Sequence, residues 1–181
     1  MTVAVIAIVL ALAIGGGAYW FLRIRERPAT AVPGARRILF PFVGSELSKS
    51  SLDAALRLAR AEDATLVAAY LAEVPLTLPL DTALPRQSEQ ALPILEAIEQ
   101  RAARSGVVLD TRIERGRTTR HALAELLEHA RFDRIVAPAA TADSDGFSPE
   151  DIAWLLEHAG GEIVVFRPDG TRTLTPSGAP A

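Results

Sequence analysis

The sequence predicts an α/β domain, a doubly wound and mostly parallel five-stranded sheet with helices on both faces, preceded by one transmembrane helix. Three observations carry this expectation. Five short apolar runs alternate with four stretches of helical periodicity along residues 36–168, the order that builds a parallel sheet through right-handed crossovers. The runs are nearly continuous in apolar character, which suits strands buried on both faces. Ahead of them lie 20 residues without a charged side chain, Val3 to Leu22. At ~1.5 Å per residue such a segment crosses a hydrocarbon core of about 30 Å.

Residues 1–22 therefore read as a transmembrane signal anchor. Gly16, Gly17 and Ala18 have the small size a cleavage site needs. A positively charged leader is missing, however, and the arginines follow the apolar run, which favours a retained helix. Tyr19, Trp20 and Phe21 occupy the place of an interfacial aromatic belt, directly before Arg23, Arg25 and Arg27. By the positive-inside rule the C-terminal domain faces the cytoplasm, so the chain is expected to be single-pass in the cytoplasmic membrane. Ala7, Ala11 and Gly15 recur at spacing four, as in paired membrane helices, although alanine is frequent throughout the chain. Residues 23–35 are basic and then rich in proline and glycine, a short linker that holds the domain near the bilayer.

The domain opens on Ile38, Leu39, Phe40 and Phe42, a central strand in prospect. After the Gly44-Ser45 turn, Leu52, Ala55, Leu56 and Ala59 recur at helical spacing while Asp53, Arg57 and Arg60 face away. Residues 65–71, TLVAAYL, suit a second buried strand. Pro75, Pro79 and Pro85 then make residues 73–86 the longest loop. Helical periodicity resumes over residues 90–104 through Leu92, Leu95, Ile98 and Ala102, with Pro93 in the first turn or at a kink and Gly106 as a stop. Residues 107–113 supply a third strand. Leu123, Leu126, Leu127 and Ala130 mark the next helix, and residues 135–137 a fourth strand. Ser148-Pro149-Glu150-Asp151 is a helix start: a hydroxyl cap, proline at the first position, and two acids at the positive end of the dipole. The face of that helix is expected to be Ile152, Leu155, Leu156 and Ala159. Ile163, Val164, Val165 and Phe166 form the fifth strand, and residues 169–181 read as a disordered tail.

Composition excludes several functions. Cysteine is absent, so there are no disulfides, thiolate metal sites or cysteine nucleophiles. The chain carries a net −3, but residues 23–37 carry +4, leaving −7 on residues 38–181. An acidic domain is a poor partner for nucleic acid, whose binding depends on neutralising phosphates. His121, Glu125 and His129 share a helix face at spacing four, a geometry zinc accepts, yet the face opposes the leucines and reads as solvated. Asp143, Asp145 and Gly146 hint at a calcium loop, but the acid it requires falls on Ile152. No Ser-His-Asp arrangement is identifiable, so no catalytic group and no metal are expected.

The stretch ILFPFVGSELSKSSLDAALRLA, with its unusual Pro41, resembles the opening strand and helix of the universal stress protein family. GRTTRHALAELLEHARFDRIVA, with Gly116 and Asp133-Arg134-Ile135-Val136, resembles that family's glycine, third helix and fourth strand. The resemblance covers residues 36–168 and implies five parallel strands and four helices, the fold shared with adenine nucleotide α-hydrolases, and a part in stress response. Many members bind ATP through an acidic residue ending the first strand and a Gly-x-x-Gly-x9-Gly-Ser/Thr loop after the fourth. This sequence places Val43 at the acid and Pro138 and Thr141 at the first two glycines, and keeps only Ser148 near the final hydroxyl. Proline lacks the amide that would meet a phosphate. No cofactor is expected, and the chain is read as a non-catalytic regulatory or protein-interaction module. The alternative is a nucleotide sensor with an unconventional pocket at Gly44, Ser45 and Ser148. The resemblance further implies a homodimer through the last strand, whose apolar edge is unprotected. Trp154, spaced two from both Ile152 and Leu156, is expected to point away from the core and add apolar surface nearby.

Overall fold

Strand β1 (Arg37–Phe42) lies at the centre of a five-stranded parallel sheet. The computed structural model describes residues 36–80, 85–142, 145–167 and 173–174, all within one unit, Pro33–Ala181. The expected membrane anchor, its Ala7, Ala11 and Gly15 stripe, and the linker lie outside the described residues. Among the described residues no helix is long and apolar enough to cross a membrane.

After β1 come β2 (Leu47–Ser48), α1 (Lys49–Ala61), β3 (Thr65–Glu73), α2 (Pro85–Ser105) and β4 (Leu109–Gly116). They are followed by α3 (Thr119–His129), β5 (Arg134–Pro138), α4 (Pro149–His158), β6 (Glu162–Phe166) and β7 (Thr173–Leu174). The sheet order is β4-β3-β1-β5-β6, with every neighbouring pair parallel.

Because strand side chains alternate between faces, two cores form. Ile38, Phe40 and Phe42 of β1 join Leu66, Ala68 and Tyr70 of β3 beneath α1 and α2. Leu39, Val67, Ala69, Ile135 and Ala137 face the other way, onto Ala122, Leu123 and Leu126 of α3 and Leu155 of α4. The nearly continuous apolar runs thus reflect burial on both faces, each large side chain contributing about 1.5–3 kcal/mol. Local signals start the helices. Ser48, Thr118 and Ser148 cap α1, α3 and α4, accepting hydrogen bonds from the amides of Ser51, His121 and Asp151. Asp133 accepts from the Arg37 amide at 2.8 Å and so ties the entry of β5 to the start of β1. Arg134, in an apolar place of the family pattern, is accommodated by pairing with Glu62 and Glu162.

The structure corrects several expectations. Helix α2 begins at Pro85 rather than residue 90 and carries Pro93 in its interior. The carbonyl that Pro93 leaves unpaired belongs to Glu89, which is exposed and can be met by water. The third main-sheet strand starts at Leu109, two positions later than expected, and runs on to Gly116. On α4 the expected roles of Trp154 and Leu156 are exchanged. Leu156 is 60% exposed, whereas Trp154 is half-buried against the core under α3 and α4 and stacks on His158 at 4.5 Å. Within the tail expected to be disordered, Thr173–Leu174 forms β7 and pairs antiparallel with Leu47–Ser48.

Candidate functional site

The chain runs outward from β1 through β3 to β4, then returns across β1 to β5 and β6. The order reverses between β1 and β5, where open α/β sheets form a crevice beyond the carboxyl ends of their strands. Here the β1–β5 register covers only Ile38↔Arg134 and Leu39↔Ile135. Pro41 lies beyond that ladder, so its missing N–H costs nothing on the β5 side, while its own register partner is Ala69 of β3.

Val43 follows β1 directly, with a half-buried side chain packed toward α3 and α4. Gly44 then turns the chain at φ +73°. The turn aims two successive amides, Ser45 and Glu46, at one oxygen, Oδ2 of Asp145, at 2.8 and 3.0 Å. The Asp145 amide donates in return to the Glu46 carbonyl at 3.2 Å. A Cβ on Gly44 would lie 2.1 Å from that carboxylate oxygen, so only glycine meets both the dihedral and the space.

The other wall follows β5. Pro138 is buried, and its carbonyl accepts from the Phe147 amide at 2.8 Å, while Ala140 donates to the Phe147 carbonyl at 3.0 Å. The loop is thus folded back on its own strand, with the Phe147 ring in the core. Gly146 permits this approach, since a Cβ there would meet the Pro138 carbonyl at 2.7 Å. Thr141 is half-buried in this loop, and Asp143 lies outside the described residues. Ser148 is committed to its helix: its hydroxyl lies 2.7 Å from Asp151 Oδ2 and accepts from the Asp151 amide at 3.1 Å. Asp151 also accepts from Arg120 Nε at 2.7 Å. Burial alone would push the Asp151 carboxyl up. The Ser148 and Arg120 hydrogen bonds outweigh it and hold the pKa below the usual 3.8. Burial pushes the Tyr70 hydroxyl above its usual 10.0, and the charges of Asp145 and then Glu73 add to the effect. The structure therefore brings Gly44, Ser45 and Pro138 to one crevice, and adds Asp145 as the group that joins its walls.

The histidine face of α3 is gathered around Glu125. His121 Nε2 lies 3.4 Å from Glu125, and His129 hydrogen-bonds the Glu125 carbonyl at 2.6 Å. That carbonyl bond, with the neighbouring acids, raises the His129 pKa above 6.5. Among the described residues no group of three His, Cys, Asp or Glu side chains is placed to hold a metal.

A feature with no sequence signal lies at the carboxyl end of β3. Arg117 directs one nitrogen, Nη1, at the carbonyls of Pro75 and Leu78 at 2.7 Å each and of Val74 at 3.4 Å. It holds in place residues 74–80, an uncharged stretch whose Leu76 is 85% exposed. Strand β6, carrying Ile163, Val164, Val165 and Phe166, forms one edge of the sheet, with Val165 44% exposed.

A family model described as "Universal stress protein family" matches residues 34–141. Among curated proteins no similar sequence is found. A universal stress family protein from Burkholderia pseudomallei is 23% identical with a TM-score of 0.53, covering 72% of this chain and 94% of its own. A universal stress protein solved in complex with cAMP is 20% identical with a TM-score of 0.53, covering 75% and 98%. A family protein from Arabidopsis thaliana with AMP bound is 12% identical with a TM-score of 0.50, covering 74% and 92%. At these identities the structures share the fold. The matched model spans β1 to the loop after β5, more than half of the chain, and with the parallel order β4-β3-β1-β5-β6 it establishes that this chain belongs to the universal stress protein family.

Proposed function

We propose that this protein is a membrane-anchored universal stress protein domain that acts as a non-catalytic regulatory or protein-interaction module at the cytoplasmic face and does not bind ATP. One observation carries the reading: the Asp145 carboxylate sits on the Ser45 and Glu46 amides, in the crevice where a nucleotide would enter. The surrounding residues agree with it. Val43 offers no side-chain acceptor, Pro138 no backbone N–H, and the Ser148 hydroxyl is engaged with Asp151. A fixed carboxylate also repels a triphosphate at close range. Calorimetry with ATP on the purified protein is expected to give no binding heat. Micromolar affinity abolished by Ser148→Ala would overturn the reading.

A second reading, a nucleotide sensor using Gly44, Ser45 and Ser148, is favoured by the cAMP and AMP held by two structural neighbours. A thermal-shift series with AMP and cAMP separates the two, because a ligand of the native state raises its stability by mass action. The anchor is supported by the uncharged run Val3 to Leu22 before Arg23, Arg25 and Arg27. A periplasm-active reporter fused after Ala181 is expected to stay silent. Homodimerisation through β6 is supported by its place at the sheet edge and by its apolar sequence.

A further inference from the structure

We infer that the Ser45 and Glu46 amides form an oxyanion site that the chain fills with its own Asp145 carboxylate, and that removing this side chain opens the site to a phosphate group. The inference rests on the reading that the native crevice takes no ATP, and it names the residue responsible. Two successive amides converge on one carboxylate oxygen at 2.8 and 3.0 Å, the arrangement by which backbone nests hold anions. The contact is not local turn chemistry, since the partners are 100 and 99 residues apart and belong to loops after different strands. The walls are held together without the carboxylate. The Asp145 amide bonds the Glu46 carbonyl, and Phe147 anchors the same loop in the core. Truncating the Asp145 side chain therefore leaves the two loops in place and bares two convergent N–H donors. A phosphate oxygen is the natural replacement, because it accepts the same charge-assisted hydrogen bonds. Asp145 is only part-buried, so the remaining phosphate oxygens can face water.

Hydrogen exchange of the full-length protein, read at the amides of Ser45 and Glu46 with inorganic phosphate and AMP as probes, tests this. In the native chain both amides are expected to be protected and indifferent to millimolar phosphate. In Asp145→Ala protection is expected to fall by about tenfold or more and to recover on adding phosphate or AMP. Native-like protection in Asp145→Ala, or a loss that neither probe restores, overturns the proposal. Should Asp145→Ala not fold, Asp145→Asn keeps the shape and removes the charge. Phosphate is then expected to displace the side chain and raise protection, and no response overturns the proposal equally. An ATP arm on the native protein keeps the two readings apart. ATP binding that leaves both amides unmoved defeats the proposed function and spares the internal site. Silence in every variant defeats the internal site and spares the proposed function.

Discussion

At the scale of single residues, Gly44 has the least freedom in the crevice. Its φ of +73° and the 2.1 Å approach a Cβ would make to Asp145 act in the same direction. Gly44→Ala is expected to lower stability by about 1–3 kcal/mol, measured by urea unfolding; a neutral result would mean that the turn is not fixed by the carboxylate. Asp151 makes a second prediction, in pH. Its folded pKa lies below the usual 3.8, so the stability it contributes is fully present above the unfolded value and is lost as pH falls through the folded one. Between pH 5 and the acid limit the native protein should lose stability more steeply than Asp151→Asn. Parallel acid titrations of the two would show no difference if the capping box were inert. These residues differ in how legible they were in the sequence. Ser148-Pro149-Glu150-Asp151 could be read outright, because capping uses neighbours three residues apart. Asp145 could be seen only as part of an incomplete calcium loop, because the amides it holds are 100 and 99 residues away.

At the scale of elements, the strands were readable for a physical reason: burial on both faces leaves an unbroken apolar run. Each predicted strand of the main sheet is present, with ends displaced by a few residues. Helix faces were less secure. Periodicity placed Leu155 and Leu156 together on the core side, but adjacent residues sit about 100° apart, and the sheet admits Leu155 and leaves Leu156 outside. The two-residue pairing of β7 with β2 depends on a distant partner and leaves no local pattern. The same holds for the loop after β3, where three prolines announce irregular backbone but nothing announces Arg117. With three carbonyls on one guanidinium nitrogen, Arg117→Ala is expected to cost about 1–3 kcal/mol and to speed amide exchange at Leu78, whose N–H donates to the Pro75 carbonyl. Unchanged exchange there would show that the prolines alone hold the loop.

At the scale of the whole molecule, a five-stranded open sheet has two edges, and this chain treats them differently. Strand β4 carries Asp110, Arg112, Glu114 and Arg115 along its length, the charged dressing that discourages a second strand from pairing. Strand β6 carries Ile163, Val164, Val165 and Phe166, with Glu162 engaged by Arg134 at its start. Val165 is the exposed member of that run, and Leu156, rather than Trp154, is the exposed large apolar side chain of α4. Pairing two copies through β6 would satisfy the edge and remove Val165 from water, and tethering both copies in one bilayer would raise their effective concentration. The purified protein is therefore expected to sediment as a dimer. Val165→Lys should shift it to the monomer without unfolding it, because a lysine on an edge strand is tolerated by the free sheet and not by a partner. A native chain that is monomeric at high micromolar concentration, with a mass and solubility that Val165→Lys leaves unchanged, would show that β6 is protected by another device and that the protein works as a single copy.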